Sequence, residues 1–178
     1  MDEPVSLSPR VIRRGMNLSI LSAVLYSVFA AASAGAIFTG LLRSIHLTNP
    51  QIGLIMSLPL LFPPMQIAGA YLQRRYFHRK RFWLSCSVTT YTLYLVLIAL
   101  VTVWFRLPAG AAFALFLSIY ALIQVFTQLP GSTNLSWLGE LVPRRESTSF
   151  WSRRTGFAGI TAMIGGVGLG KLVDLLGR

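Results

Sequence analysis

Residues 17–42 read NLSILSAVLYSVFAAASAGAIFTGLL, a run without a single charged side chain. A bilayer's hydrocarbon core is about 30 Å thick, and a helix rising about 1.5 Å per residue needs about 20 mostly uncharged residues to cross it. This run is long enough. It also exceeds the apolar region of a cleavable signal, about 7 to 15 residues, so it is expected to persist as a span. Four further apolar stretches follow, near residues 52–72, 82–105, 109–141 and 156–176, the fourth long enough to include an interfacial extension. Lipid offers no partner to backbone N–H and C=O groups, and none of the stretches alternates as a barrel strand does. The expected fold is all-α: a polytopic helical membrane protein with an N-terminal segment over residues 1–16 and a transmembrane domain over 17–178.

The chain is 54% hydrophobic, 12% charged, and has a formal net charge of +11. In a soluble chain that charge would point to nucleic acid. Its placement points elsewhere. Arg10, Arg13 and Arg14 precede the first span, and Arg74, Arg75, Arg79, Lys80 and Arg81 follow the second. Arg144, Arg145, Arg153 and Arg154 follow the fourth, whereas the opposite gaps hold only Arg43 and Arg106. Basic residues in short loops stay cytoplasmic, so the expectation is a multi-pass plasma (inner) membrane protein with its N-terminus in the cytoplasm. No aromatic stacking platform accompanies the basic loops, so nucleic acid is not an expected partner. Anionic membrane lipid is.

The second span ends in GAYLQRRYFHRKRF, residues 69–82, and is preceded by LTNPQIGLIMSLP, residues 47–59. Here the chain resembles the major facilitator superfamily of secondary transporters, whose members carry a loop of the form GxLaDrxGrrx between their second and third helices. Gly69, Arg74, Arg79 and Lys80 approximate that order. Gln73 stands where the family has Asp, Tyr76 occupies the second glycine position, and the paired basic residues arrive about one or two positions late. The stretch WLGELVPRRESTSFWSRRTGFAG, residues 137–159, is similar to the family's cytoplasmic turn between helices four and five. The resemblance implies a six-helix half, built of inverted three-helix repeats, in a molecule whose two halves enclose a central cavity. It makes this chain the N-terminal portion of a secondary active transporter, truncated after the fifth helix, that moves a small-molecule substrate by alternating access. The implied partner is the missing C-terminal half or another helix bundle, and the isolated polypeptide is not expected to transport by itself.

By the same resemblance, the loop after the second span stabilises the state closed to the cytoplasm. Its expected gating set is Gly69, Gln73, Arg74, Arg79 and Lys80, with Glu140 as the acidic partner. The same charges also serve as solvated determinants of topology, and an exposed pair contributes only about 0 to 1 kcal/mol. Inside the spans, Gln124 and Gln128 lie i,i+4 on one helix face, and Ser22, Tyr26 and Ser33 recur near one face of the first span. The resembled transporters line their cavity with the first and fourth helices, which makes Tyr26, Ser33, Gln124 and Gln128 the substrate-facing candidates. The alternative for these side chains is interhelical hydrogen bonding, worth about 0.6 kcal/mol per contact.

Ala158, Ala162, Gly166 and Gly170 form a row of small residues in the fifth span, suited to close helix packing. Pro59, Pro63 and Pro64 are expected to kink the second. No catalytic set is assembled: an intramembrane enzyme needs paired carboxylates, histidines or a Ser/His pair near the interface. Cys86 is the lone cysteine, His46 and His78 lack metal-ligand company, and GGVGLG at 165–170 has no preceding strand to make it a nucleotide loop. Neither metal nor cofactor is expected, and the chain is not expected to be an enzyme. A non-transporting membrane scaffold that packs other helices on the fifth span is the competing reading.

The orientation is open to direct test in cells carrying Cys86→Ser. A cysteine replacing Lys80 is expected to react with a membrane-impermeant maleimide only after the cytoplasmic face is opened, and one replacing Arg106 without opening. Labelling at position 80 from outside would reverse the topology.

Overall fold

The computed structural model describes residues 8–33, 35–75, 79–132, 136, 138–139 and 142–176. Those residues are helical with connecting turns, and none is in a strand. The elements are α1 (Pro9–Ser33), α2 (Gly35–Ser44), α3 (Asn49–Leu61), α4 (Met65–Arg75), α5 (Arg79–Thr102), a 3-10 turn (Trp104–Arg106), α6 (Ala109–Gln128) and α7 (Ser147–Leu176).

Where the helices break follows from local chemistry. Gly35 has φ +71°, the left-handed region that costs an L residue about 1–2 kcal/mol, and it separates α1 from α2 inside the first apolar stretch. At Thr48 the backbone N–H donates to Gln51 Oε1 at 2.9 Å, and Pro50 sits in the first turn where no intrahelical N–H is needed. Pro59 is accommodated within α3, whereas the Pro63–Pro64 pair follows its end: Phe62 is the C-cap at φ −97°, ψ −6°, and neither proline has an N–H to continue the ladder. α4 then resumes at Met65 with a bend of 40°. The expected kink is present, and it lies at the double proline.

By length and composition, Arg10–Ser44, Lys80–Thr102 and Ala109–Gln128 suffice to cross a membrane, and the bent pair Asn49–Leu61 plus Met65–Gln73 makes a fourth if it is one broken span. α7, 30 residues long, is not among the spans found in the described residues. α6 ends at Gln128, well before the 141 expected for the fourth span. Leu129 and Pro130 form a turn there, because Pro130 supplies no N–H to continue the helical ladder.

Side-chain exposure has the pattern of a protein surrounded by lipid. On α5, Leu84, Val88, Tyr91, Leu95 and Ile98 form an exposed stripe at helical spacing, while Cys86, Thr90, Leu97 and Leu100 are buried. On α7, Phe157, Ile160, Ile164 and Val167 form a similar exposed stripe. Contiguous apolar surface on this scale marks a membrane or partner interface. The protein is an all-helical chain whose spans suit a membrane.

The chain divides into two compact units, Met1–Leu41 with Leu138–Arg178, and Leu42–Trp137. In the first, α1 packs along α7. Leu138, Val142 and Phe150 form a buried cluster, with Met16, Ile20 and Trp151 packed against it. Further along both helices, a Cβ on Gly165 would sit 3.5 Å from Val28 Cγ1. Early residues meet early and late meet late, so α1 and α7 run parallel. In the second unit, α5 and α6 are joined by the short 103–108 turn and form an antiparallel pair, with Trp104 edge-on to Phe116 at 5.9 Å between ring centroids. Both α3 and α4 also pack on α6.

Parallel pairing of α1 and α7 has a cross-linking signature. With Cys86 replaced by serine, Val28→Cys with Gly165→Cys should form a disulfide, and Ile20→Cys with Trp151→Cys should join through a short bismaleimide. Cross-linking of Ile20→Cys with Gly165→Cys instead would show an antiparallel or shifted pair.

Candidate functional site

The densest polar site among the described residues lies where α4 meets the C-terminal end of α6. Gln66 Nε2 donates to Gln128 Oε1 at 2.8 Å. The Ser132 hydroxyl points at the Gln66 carbonyl oxygen from 3.5 Å, a long contact. Three residues beyond Gln66, Gly69 is buried against the Leu129 backbone, and a Cβ there would overlap the Leu129 carbonyl oxygen. A Cβ on Gly131 would press on Gln66 Cδ at 3.2 Å. Glycine at both positions lets two backbones approach until the amides of Gln66 and Gln128 can meet.

Gln124, one turn earlier on α6, is buried, as is Tyr120 a further turn back. Tyr120, Gln124 and Gln128 therefore form a polar row on one face of α6, with the end of the row tied to α4. The two glutamines are among the residues singled out in the sequence; Gln66, the partner of Gln128, and Tyr120, on the same face of α6, are not. Tyr120 was detectable at i−4 from Gln124, and Gln66 as the polar exception in its span. Thr90 was also missed: its hydroxyl is buried in α5 with no hydrogen-bond partner among the described residues.

In the first unit, Tyr26 is exposed on α1, with its ring 6.2 Å from that of Phe29. The Ser33 hydroxyl donates to the Phe29 carbonyl at 2.9 Å, and the Ser22 hydroxyl to that of Ser19 at 2.9 Å. Tyr26 and Ser33 belong to one unit, Gln124 and Gln128 to the other.

Of the expected gating set, Gly69 is a packing residue within α4, Gln73 is half-buried near the end of that helix, and Lys80 is exposed at the start of α5. Arg74 and Arg79 lie in helix, but their side chains fall outside the described residues, as do Glu140 and any contact it makes. In α7, Ala158, Ala162, Gly166 and Gly170 are half-buried, yet a Cβ on Gly166 or Gly170 would meet nothing within 4 Å. The glycine that faces α1 is Gly165, one position away. Among the described residues, no group of three or more His, Cys, Asp or Glu could hold a metal ion.

Compared with known protein families, with curated proteins and with solved structures, the chain shows no significant match to any of them.

The α4–α6 joint sets two expectations for stability in detergent. Gly69→Ala overfills the contact with Leu129 and should cost about 1–3 kcal/mol. Gly131→Ala should cost less, because the Gln66 side chain can shift. A double-mutant cycle of Gln66→Leu and Gln128→Leu should give a coupling of about 0.6 kcal/mol, with about 1.7 as the ceiling for such bonds. Additive single mutants would show that the two amides do not interact.

Proposed function

We propose that this chain is the N-terminal portion of a secondary transporter of the major facilitator type, moving a small solute across the plasma membrane by alternating access, with its N-terminus in the cytoplasm. The observation that carries the proposal is the pattern of helix pairing. An inverted three-helix repeat relates the first span to the fourth and the second to the fifth. Under that relation, a pairing of the first span with the fifth has as its image a pairing of the fourth with the second. The chain has both: α1 packs on α7, and the broken α3–α4 helix packs on α6.

Direction supports the same scheme. α4 meets the C-terminal end of α6 through Gln66 and Gly69, and α3, which precedes it, packs on α6 as well. The broken helix therefore extends back along α6 and runs parallel to it, as α1 does to α7. Parallel α1 and α7 need an odd number of crossings between them. The α3–α4 pair, α5 and α6 supply three, which favours a full crossing by the bent pair and a fifth span in α7. The charge alternation along the sequence requires the same count.

In this scheme Tyr26 and Ser33 on the first span and Gln124 and Gln128 on the fourth are the substrate-facing candidates. The α4–α6 joint fixes where the fourth span ends. The competing reading, a non-transporting scaffold, draws on the open Gly166 and Gly170, which leave room for a helix from another bundle.

Access to the cavity separates the two. With the protein made from its native gene carrying Cys86→Ser and Tyr26→Cys, an impermeant maleimide should label position 26 in both right-side-out and inside-out vesicles. Labelling from neither side, or from one alone under every condition, would count against alternating access and for the scaffold.

A further inference from the structure

Because α1 and α7 run parallel, their basic N-terminal ends lie side by side. Met16 and Ile20 of α1 pack at the level of Phe150 and Trp151 of α7. Arg13 and Arg14 lie within one turn of that level on α1, and Arg153 and Arg154 within one turn on α7. Arg144 and Arg145 are exposed in the turn just before α7, and Arg10 is exposed one turn before Arg13. Glu146 is the one acidic side chain described in this region, and no ion pair forms among the described residues. Arg154 sits over the Trp151 ring, 5.5 Å from its centroid, and its buried Nε has no acceptor among the described residues. Among the described residues this cationic charge has no ion-pair partner, and Arg154 is held by its stacking on Trp151.

A shallow, open hollow of about 320 Å³ lies on one face of α7 at this end, lined by Ser152, Arg153, Gly156, Phe157 and Ile160. Its surface is almost wholly apolar, with Ser152 and Arg153 bordering it at the N-terminal side. Arg153, Gly156, Phe157 and Ile160 follow i, i+3, i+4 and i+7 spacing and so share one helix face. Gly156 leaves that face open, and Phe157 and Ile160 are exposed beside it. The change from arginine to apolar side chains coincides with the start of the apolar stretch near Gly156, the level at which a headgroup gives way to acyl chain. Trp151 is of the type that concentrates at that interface.

We propose that the basic end of the α1–α7 pair binds one anionic glycerophospholipid of the cytoplasmic leaflet, with its phosphate against Arg153, Arg154 and Ser152 and an acyl chain along Gly156, Phe157 and Ile160. The site rests on the membrane placement and orientation of the chain but not on transport. A zwitterionic lipid fits the hollow but not the charge beside it. A nucleic acid fits the charge but leaves the apolar hollow unused.

The test is native mass spectrometry of the full chain released from detergent micelles holding equal phosphatidylglycerol and phosphatidylcholine. Retained lipid should be predominantly phosphatidylglycerol. Arg153→Gln with Arg154→Gln should lower that preference by about fivefold per arginine, the value of a basic residue near an anionic surface. Arg106→Gln, at the opposite end of the spans, should leave the preference unchanged. Arg144→Gln with Arg145→Gln, outside α7, should lower it in part and provides a second variant should the first not fold. Equal retention of both lipids, or a preference indifferent to both arginine pairs, would overturn the site while leaving the membrane placement intact. Retention of neither lipid would remove the placement and the site together. Displacement of the lipid by inorganic phosphate or by a short RNA at equal concentration would show a phosphate or nucleic-acid site in its stead.

Discussion

Hydrocarbon cannot accept or donate a hydrogen bond, and most of the described hydroxyl groups in the helices, the buried Thr90 excepted, are arranged to suit that constraint. Ser27 donates to the Val24 carbonyl, Thr39 to that of Gly35, Ser57 to Leu54, Ser87 to Trp83, Ser118 to Ala114 and Thr161 to Phe157. Each bond closes within its own helix, three or four residues back. A serine or threonine handled in this way presents little more than a methyl-sized apolar surface to its surroundings, so these residues interrupt the spans in sequence without interrupting them physically. The two glutamines that meet across helices are the contrast. Gln66 and Gln128 are too long to bond back onto their own turn and too polar to be left in lipid, so they fix one helix against another.

That joint also explains how two breaks in the helical ladder coexist. α3 stops before Pro63 and Pro64, and α6 stops at Leu129 and Pro130. Helix ends leave carbonyl and amide groups without intrahelical partners, which a span can tolerate only where protein supplies substitutes. The two breaks lie near each other in space, with Gly69 against the Leu129 backbone and Gly131 against Gln66. Small residues and a glutamine pair at one location fill the site with polar and backbone atoms that need each other. Replacing either glycine by a larger residue would separate the helices where their interruptions depend on contact.

The apolar runs were legible because length and apolarity are local properties: α1 with α2, α5 and α6 each overlap a stretch visible as an uncharged run, and α1 and α5 extend beyond it into the preceding arginines. The place of the second-span break was legible only in part. Three prolines marked the region, yet Pro59 remains inside α3 and the consecutive Pro63 and Pro64 follow its end, where neither has an N–H to continue the ladder. Gly69 was visible as the glycine of a loop motif, but its role in α4 depends on which backbone lies opposite, a tertiary fact that no local pattern encodes. The small-residue row of α7 shows the same limit: Gly165 faces Val28, while Gly166 and Gly170 of the i,i+4 row face nothing within 4 Å. A glycine-rich helix offers several plausible faces, and only the partner selects one. The expected pairing of Glu140 with Arg74 or Arg79 depends on where side chains point, which the number of positive residues in a loop does not encode.

The parallel α1–α7 pair sets two electrostatic preferences against each other. Helix N-termini carry partial positive charge, so acidic residues belong in first turns and arginines do not, an effect of about 0.3–1 kcal/mol at an exposed site. Neither helix has an acidic residue in its first turn, and both place arginines near that end. Parallel packing adds like charge from the neighbouring helix. The proposed topology favours the arrangement all the same, because it keeps positive residues on the cytoplasmic side. The opposing term is local: Leu138, Val142 and Phe150 are almost fully buried at that end, and burying such a side chain is worth about 1.5–3 kcal/mol each. Stacking Arg154 on Trp151 adds a contribution of about 0.5–1 kcal/mol or more without neutralising the guanidinium. Apolar packing is therefore strong enough to hold two like-charged helix ends together, and the field it concentrates there is available to an anion from outside the protein.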